Sequence, residues 1–330
     1  METALVVSDL EKEIEYYIDK GYRLDMIMPA DSPTTAQISK NGEILHLETS
    51  PRETNENFEP VDPDNIIITR FDDNLWVEGR AGMQYRDLIP GRLGGCVIAS
   101  HIRLTKGGEV PDYVHYHKIA FQMIFCKTGW IRVVYEDQGP PFILNAGDCV
   151  LQPPEIRHRV IDSSAGAEVI EIGCPAVHET WVDHDMQLPT DDIKLDRIFN
   201  GQRFVRHIAD ETEWMQHDVS LFEARDIGIR QATNGIADVR ILRLPPAFQD
   251  RNTYLTAYER GISFNYVLNG EITLSAEETI SHKLRAEDCF VIPPGTNIRF
   301  CAGKKLEMLE IGISLDENRK TGTDPVFHTS

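Results

Sequence analysis

The chain has no apolar run near the roughly 20 residues needed to cross a bilayer, and Met1-Glu-Thr-Ala-Leu lacks the basic start and long apolar core of a secretion signal. A cytoplasmic protein is therefore expected. Positive charge is scarce: 33 Lys and Arg stand against 53 Asp and Glu, a formal net charge of -20 at pH 7. Nucleic acids and anionic membranes require clustered cations, so neither is an expected partner, and a small-molecule substrate is. Cysteine is also sparse. The six thiols have no paired spacing, and Cys126, Cys149, Cys174 and Cys289 sit in apolar runs, which reads as reduced core residues rather than disulfides or a zinc cluster. With 330 residues, 41% of them hydrophobic, two or three ordinary domain cores are expected.

Against these absences stand three histidines. His115 and His117 are separated by one residue, and His158 follows 41 residues after His117. Side chains alternate along a strand, so a strand through His115-Tyr116-His117 points both imidazoles at one ion. The run Val114 to Phe125 is rich in β-branched and aromatic residues and ends in a Lys127-Thr128-Gly129 turn, which predicts that strand and puts Gln122 further along it. Pro153-Pro154 ends the strand before His158. A third imidazole then arrives from a new strand, Arg157 to Ile161.

The spacing resembles the two motifs of the cupin superfamily. Four residues separate His117 from Gln122 and six separate Gln122 from Gly129, while Gly147, Pro153, His158 and Asp162 fall in register with the second motif. The chain departs from the family at Gln122 (Glu in the family), Glu155 (Gly) and Asp162 (Asn), and Gly108 lies one position early. The resemblance implies a divalent metal on His115, His117 and His158, with Gln122 as fourth ligand or close neighbour. It also implies a jelly-roll barrel.

The chain then repeats itself. Glu287-Asp288-Cys289 with Pro293-Pro294 echoes Gly147-Asp148-Cys149 with Pro153-Pro154, Gly270 echoes Gly129, and Glu310-Ile-Gly echoes Glu171-Ile-Gly, at an offset near 140 residues. The expected fold is mainly β: a metal-binding cupin barrel over 66–186 and a degenerate one over 195–316, joined by the acidic stretch Asp185 to Leu195. The register puts Thr256, Tyr258, Ser263 and Ile298 where the first barrel has His115, His117, Gln122 and His158. None is a good ligand. The second barrel is thus expected to close the apolar surface of its twin or to help form a homodimer, with His282 in a solvated loop.

The first fifty residues read as a small βαβββ module: a strand from Ala4 to Val7, a helix from Asp9 to Lys20 capped by Ser8 and Glu11 and stopped at Gly21, then Arg23 to Met28, Thr35 to Ser39 and Glu43 to Glu48, with Asn41-Gly42 as hairpin turn. This resembles a half-module of the glyoxalase, or vicinal oxygen chelate, fold. Such a half-sheet must pair with a copy of itself or pack on a barrel. His46 and Glu48 as metal ligands are outweighed by a structural role. The proline-rich acidic segment 51–65 reads as a linker and 317–330 as a C-terminal arm.

Three imidazoles and an amide leave an ion near its full charge, suited to anions and enolates. Imidazole ligation suits Fe, Ni, Cu or Zn, with Mn also admissible. The resemblance implies an Fe(II) dioxygenase acting on a diketone, aromatic diol or hydroxy acid. A non-oxidative lyase, isomerase or hydrolase is the alternative, and a non-catalytic binding module a third. Around the ion, Tyr113 shares the parity of His115 and is the candidate proton donor; Arg103, Gln152 and Cys126 are candidate substrate contacts. Arg157 and Arg159 should point away from the site, and His178 and His184 are expected in a loop or inter-barrel contact.

Overall fold

The computed structural model describes residues 4–49, 66–79, 82–216, 221–248, 252–256, 261–275 and 281–314. The linker 51–65, the arm 317–330 and Tyr258 lie outside the described residues. The protein is built mainly of antiparallel sheet, arranged as two barrels face to face with a small α/β unit on the first.

The N-terminal unit has the expected order: β1 (Ala4–Val7), α1 (Leu10–Asp19), β2 (Arg23–Met28), β3 (Thr35–Lys40) and β4 (Glu43–Thr49). Its helix is capped by Asp9, whose carboxylate accepts from the Lys12 amide at 3.2 Å, rather than by Ser8. Asn41 and Gly42 both take positive φ, 50° and 86°, the backbone of a type I′ hairpin. The apolar face of the sheet buries Ile27, Ala36, Ile38 and Leu47 beneath Leu10 of α1. The open edge is not left unpaired. Strand β2 runs antiparallel to Thr180–Val182 of the first barrel, with Ile27 opposite Thr180 and Met26 opposite Trp181, so one sheet continues from the module into the barrel.

The predicted strand through Val114 to Phe125 is in fact two. His115–His117 lies in the outer sheet, beside His158–Ser163 and Thr180–Val182, whereas Phe121–Thr128 crosses to the inner sheet between Cys149–Leu151 and Ala167–Cys174. Residues 118–120 make the corner, where the Lys118 and Ala120 amides donate to the carbonyls of Glu179 and Cys174. Hence Gln122 reaches the barrel interior from the wall opposite the histidines.

Alternation along the inner sheets determines what holds the barrels together. Phe121, Met123, Phe125, Ile170 and Ile172 of the first barrel pack on Val239, Ile241, Phe264, Tyr266, Leu309 and Ile311 of the second, in one buried cluster. Residues of the opposite parity face each barrel's own interior. Each large apolar side chain so buried contributes about 1.5–3 kcal/mol. Within the interface runs a polar chain. The wholly buried Arg86 donates to the Glu287 carbonyl at 3.0 Å and to His101 Nδ1 at 3.1 Å, so His101 keeps its proton on Nε2 and donates to Glu168 at 3.0 Å. Burial lowers the His101 pKa. For Glu168, burial acts to raise the pKa, but hydrogen bonds from His101 and Lys127 outweigh it and hold the carboxyl well below the usual range.

The two barrels also exchange strands. Ile67–Thr69, which precedes the first barrel in sequence, pairs with Cys289–Ile292 of the second; Val205–His207, which follows the first barrel's last strands, pairs back with Cys149–Leu151. The repeated aspartates fasten both crossings. Asp148 accepts from the amides of Asn145 and Ala209, and Asp288 from those of Arg285 and Phe71. The echo of Gly147 by Glu287 has a backbone reading too: both take positive φ, 95° and 75°.

A candidate metal centre in the first barrel

His115 sits directly opposite His158 in the antiparallel pair, and His117, two residues along, shares their face. All three are buried, at 4%, 7% and 5% exposure. Their ring centroids lie 4.3–5.3 Å apart, and one nitrogen from each falls within 4.8 Å of the others. Each imidazole is oriented through Nδ1. His115 donates to the Tyr113 carbonyl at 2.8 Å, His158 to the Ile156 carbonyl at 3.0 Å, and His117 meets the Thr180 hydroxyl at 2.8 Å. The carbonyl partners put the proton of His115 and His158 on Nδ1, which makes Nε2 their ligating nitrogen, and Thr180 gives His117 the same orientation when its hydroxyl accepts. Metal–nitrogen bonds are about 2.0–2.1 Å, so small rotamer adjustments bring these three nitrogens onto one centre. The donor set fits a divalent ion. No other group of His, Cys, Asp or Glu among the described residues does so, and His46 and Glu48 belong to none.

Opposite the histidines, Gln122, 2% exposed, donates its amide N–H to Glu171 Oε1 at 2.6 Å. Glu171 lines the same cavity as the three histidines, Gln122 and Gln152. This carboxylate offsets part of the charge an ion would bring, correcting the expectation of a site with only neutral groups. In the sequence Glu171-Ile-Gly stands out solely as a mark of the repeat.

The other named candidates separate. Gln152 lines the cavity at 3% exposure, and its Oε1 is buried with no hydrogen-bond partner. Tyr113 precedes the strand, which begins at His115, so parity does not govern it: its carbonyl holds His115 and its ring meets that imidazole edge-on, outside the cavity lining. Arg103 belongs to Ile98–Leu104, where Ile102 and Leu104 face the interior; its guanidinium lies on the other face, bonded to Glu168 at 2.8 Å and 4.1 Å above the Trp76 ring. Cys126 does face inward, but packs among Ile131, Val150 and Ala167 beyond the cavity, where burial pushes its thiol up to about 12. Arg159, expected to point away, is part of the cavity wall, and its Nε is buried without a hydrogen-bond partner.

Two further residues come from places the sequence reading discounted. His178 lines the cavity with its ring 5.4 Å from that of His117; it donates through Nδ1 to the Pro175 carbonyl at 3.0 Å, and burial lowers its pKa. Asp31, from the N-terminal unit, lines the cavity and is ion-paired with Arg92 at 2.5 Å. His184, by contrast, bonds the Leu24 carbonyl at 2.8 Å and ties the N-terminal unit to the barrel. His282 is on the strand Ser281–Arg285 and half-buried, not in a loop.

The cavity's far wall is apolar, formed by Ile102, Leu104, Ile124, Ile131, Val133 and Val169, with Tyr135 stacked on His158. Its volume, about 120 Å³, is below the 300–1,000 Å³ usual for drug-sized ligands. The site therefore offers convergent imidazoles, the carboxylates of Glu171, Asp31 and Asp112, two amides and a neutral imidazole in a small sheltered space.

No protein-family model matches the chain, and no curated protein matches it. Solved structures do. The salicylate 1,2-dioxygenase of Pseudaminobacter salicylatoxidans superposes with a TM-score of 0.56 at 14% identity, covering 76% of this chain and 85% of its own. A variant of Bacillus subtilis oxalate decarboxylase does so at 0.53 and 15%, covering 76% and 79%. Protein Ylba of E. coli gives 0.52 and 13%, covering 77% and 92%. At these identities the likeness is one of fold.

Proposed function

Since the chain has the two-barrel cupin fold, we propose that it is a metal-dependent enzyme whose His115, His117 and His158 hold a divalent ion, foremost Fe(II), for the oxidation or cleavage of a small oxygenated substrate by dioxygen. The observation that carries this is the convergence of three buried imidazoles, each oriented through Nδ1, on one small cavity. The salicylate dioxygenase among the neighbours supports the oxidative reading.

Gln122 is the fourth donor in this proposal: with its N–H committed to Glu171, its carbonyl oxygen is the atom offered to the ion. The bound ion supplies Lewis acidity and, as iron, a site for dioxygen. The chain's own residues do the rest. The orphaned Oε1 of Gln152 accepts a substrate hydroxyl, which fixes the substrate's orientation. The apolar wall excludes water and receives the hydrocarbon part, and the cavity volume keeps the substrate small; a diketone, aromatic diol or hydroxy acid is the class this reading assigns.

A second reading rests on Glu171 and His178. Two groups able to carry a proton in the same cavity suit a non-oxidative lyase, isomerase or hydrolase, and oxalate decarboxylases are among the structural neighbours. Elemental analysis of anaerobically purified protein beside His115→Ala, with oxygen uptake on a panel of diketones, catechols and hydroxy acids, separates the two. About one iron per wild-type chain and substrate-dependent uptake is the expected result. Zinc, nickel or manganese with turnover but no uptake moves the assignment to the second reading, and a full metal complement in His115→Ala refutes the centre itself.

A further inference from the structure

The second barrel has lost the imidazoles, yet its interior is not wholly apolar. Leu242, Val267, Ile272, Phe290, Phe300 and Met308 fill one part of it. Further along the same faces, three adjacent strands set Arg240, Glu310 and Asn265 directly side by side, with Asp238 and Ser263 flanking Gly312 in the next row. Directly opposed residues share a face of a sheet, and Leu242, Val267 and Met308 have the same parity, so this row is interior.

The repeat says what the row replaces. Pairing in the first barrel sets Ser100, Glu171 and Ile124 side by side, then Ile98, Gly173 and Gln122. Apart from Gly173, each of these lines the candidate catalytic cavity. The second barrel therefore holds polar and charged side chains where its twin has a pocket wall, and Glu310 is the counterpart of Glu171.

The row has an unsatisfied side. Asn265 is wholly buried, and its N–H groups are held by Ser263, at 3.0 Å to the hydroxyl and 3.2 Å to the carbonyl. This fixes the amide so that Oδ1 is the unpaired atom, buried with no hydrogen-bond partner. Buried acceptors are normally satisfied. Glu310 remains partly accessible and makes no side-chain hydrogen bond among the described residues; burial pushes its carboxyl up to about 7. The neighbouring cation is already balanced, since Arg240 donates to Asp238 at 2.7 Å. What remains are two acceptors, the Asn265 oxygen and a carboxylate that Arg240 offsets only in part. The complement is a small cation rich in N–H donors.

We propose that the second barrel is a binding site for a small primary amine in its ammonium form, held by the Glu310 carboxylate and the Asn265 amide oxygen. The full-length, metal-loaded protein, labelled with methyl-13C methionine, is titrated with ethylammonium chloride. Met308 lies two residues from Glu310 on the same face, and Met83 lines the first barrel's cavity, so the two methyl signals report separately. The expected result is a saturable shift of Met308 with Met83 still, weakened at least tenfold in both Glu310→Gln and Asn265→Ala, and absent with tetramethylammonium, which has no N–H. A static Met308, a Met308 shift unchanged in Glu310→Gln, or a larger shift with sodium propionate than with ethylammonium overturns the proposal. The metal content of the first barrel should be the same in both variants, so failure here leaves the reading of that centre untouched.

Discussion

Glu310→Gln tests whether the second barrel's interior carboxyl is as strongly perturbed as its surroundings imply. An ordinary glutamate titrates near 4.5, whereas burial, with Asp238 adding to it and Arg240 opposing it, holds Glu310 at about 7. Because the folded-state value is raised above the unfolded one, the carboxyl's contribution is fully present below pH 4.5 and is lost as pH rises through 7. Each pH unit between the two is worth about 1.4 kcal/mol, so the interval corresponds to about 3 kcal/mol lost by the wild type. Glutamine has nearly the same shape and no proton to lose. The stability of Glu310→Gln relative to wild type should therefore climb by roughly 2–3 kcal/mol between pH 4.5 and pH 8. Urea unfolding of both proteins at pH 4.5, 6, 7 and 8 measures it, and because every other titrating group is common to the two, only Glu310 enters the difference. Stability curves that run parallel across this range, or a wild type that gains on the variant as pH rises, would refute the reasoning.

Thr180→Val removes the hydroxyl that orients His117 and should weaken metal binding about 10- to 100-fold, read by competition with a chelator, with Thr180→Ser restoring it. Gln122→Glu brings a second carboxylate against Glu171, 2.6 Å from the present amide nitrogen; it should retain the metal more tightly while destabilising the metal-free protein, and a variant indistinguishable from wild type in metal retention, stability and activity would reduce Gln122 to packing. Glu155 holds φ at +61°, so Glu155→Gly should raise stability by about 1 kcal/mol by thermal unfolding. Phe264→Ala, at a wholly buried position between the barrels, should cost about 3–5 kcal/mol.

How much of this was legible depended on whether a residue's direction followed from local pattern. The histidine triad was, because alternation along a strand and cross-strand pairing are local rules that the barrel obeys at His115, His117 and His158. The N-terminal βαβββ order was legible for the same reason, its punctuation at Gly21 and Asn41-Gly42 being backbone chemistry. Parity failed where the strand itself was misjudged. Tyr113 lies before the strand begins, and Arg103 sits on the outward half of an alternation whose inward half is Ile102 and Leu104. His178, Asp31 and Arg159 could not be assigned, since their positions depend on a loop, on a distant module and on the closure of the cavity mouth, none of which has a local signature. Glu171 is a different lesson. Its tripeptide, repeated at Glu310, was visible as a sign of duplication, but duplication of a charged residue on an otherwise apolar strand, Val169 to Cys174, is itself a signal of an interior polar position.

The exchange of strands between the barrels bears on how this chain can be divided. Cys149–Leu151 and Cys289–Ile292 each owe their outer hydrogen-bond partner to chain from the other side of the molecule. A fragment ending at residue 195 would retain the histidines but leave an apolar strand edge bare, and with it one side of the cluster that includes Phe121 and Ile172. Bare edges of that kind recruit other chains. The natural unit for expression, permutation or domain grafting is therefore the interlocked pair, and an excised metal barrel should be recovered as aggregate.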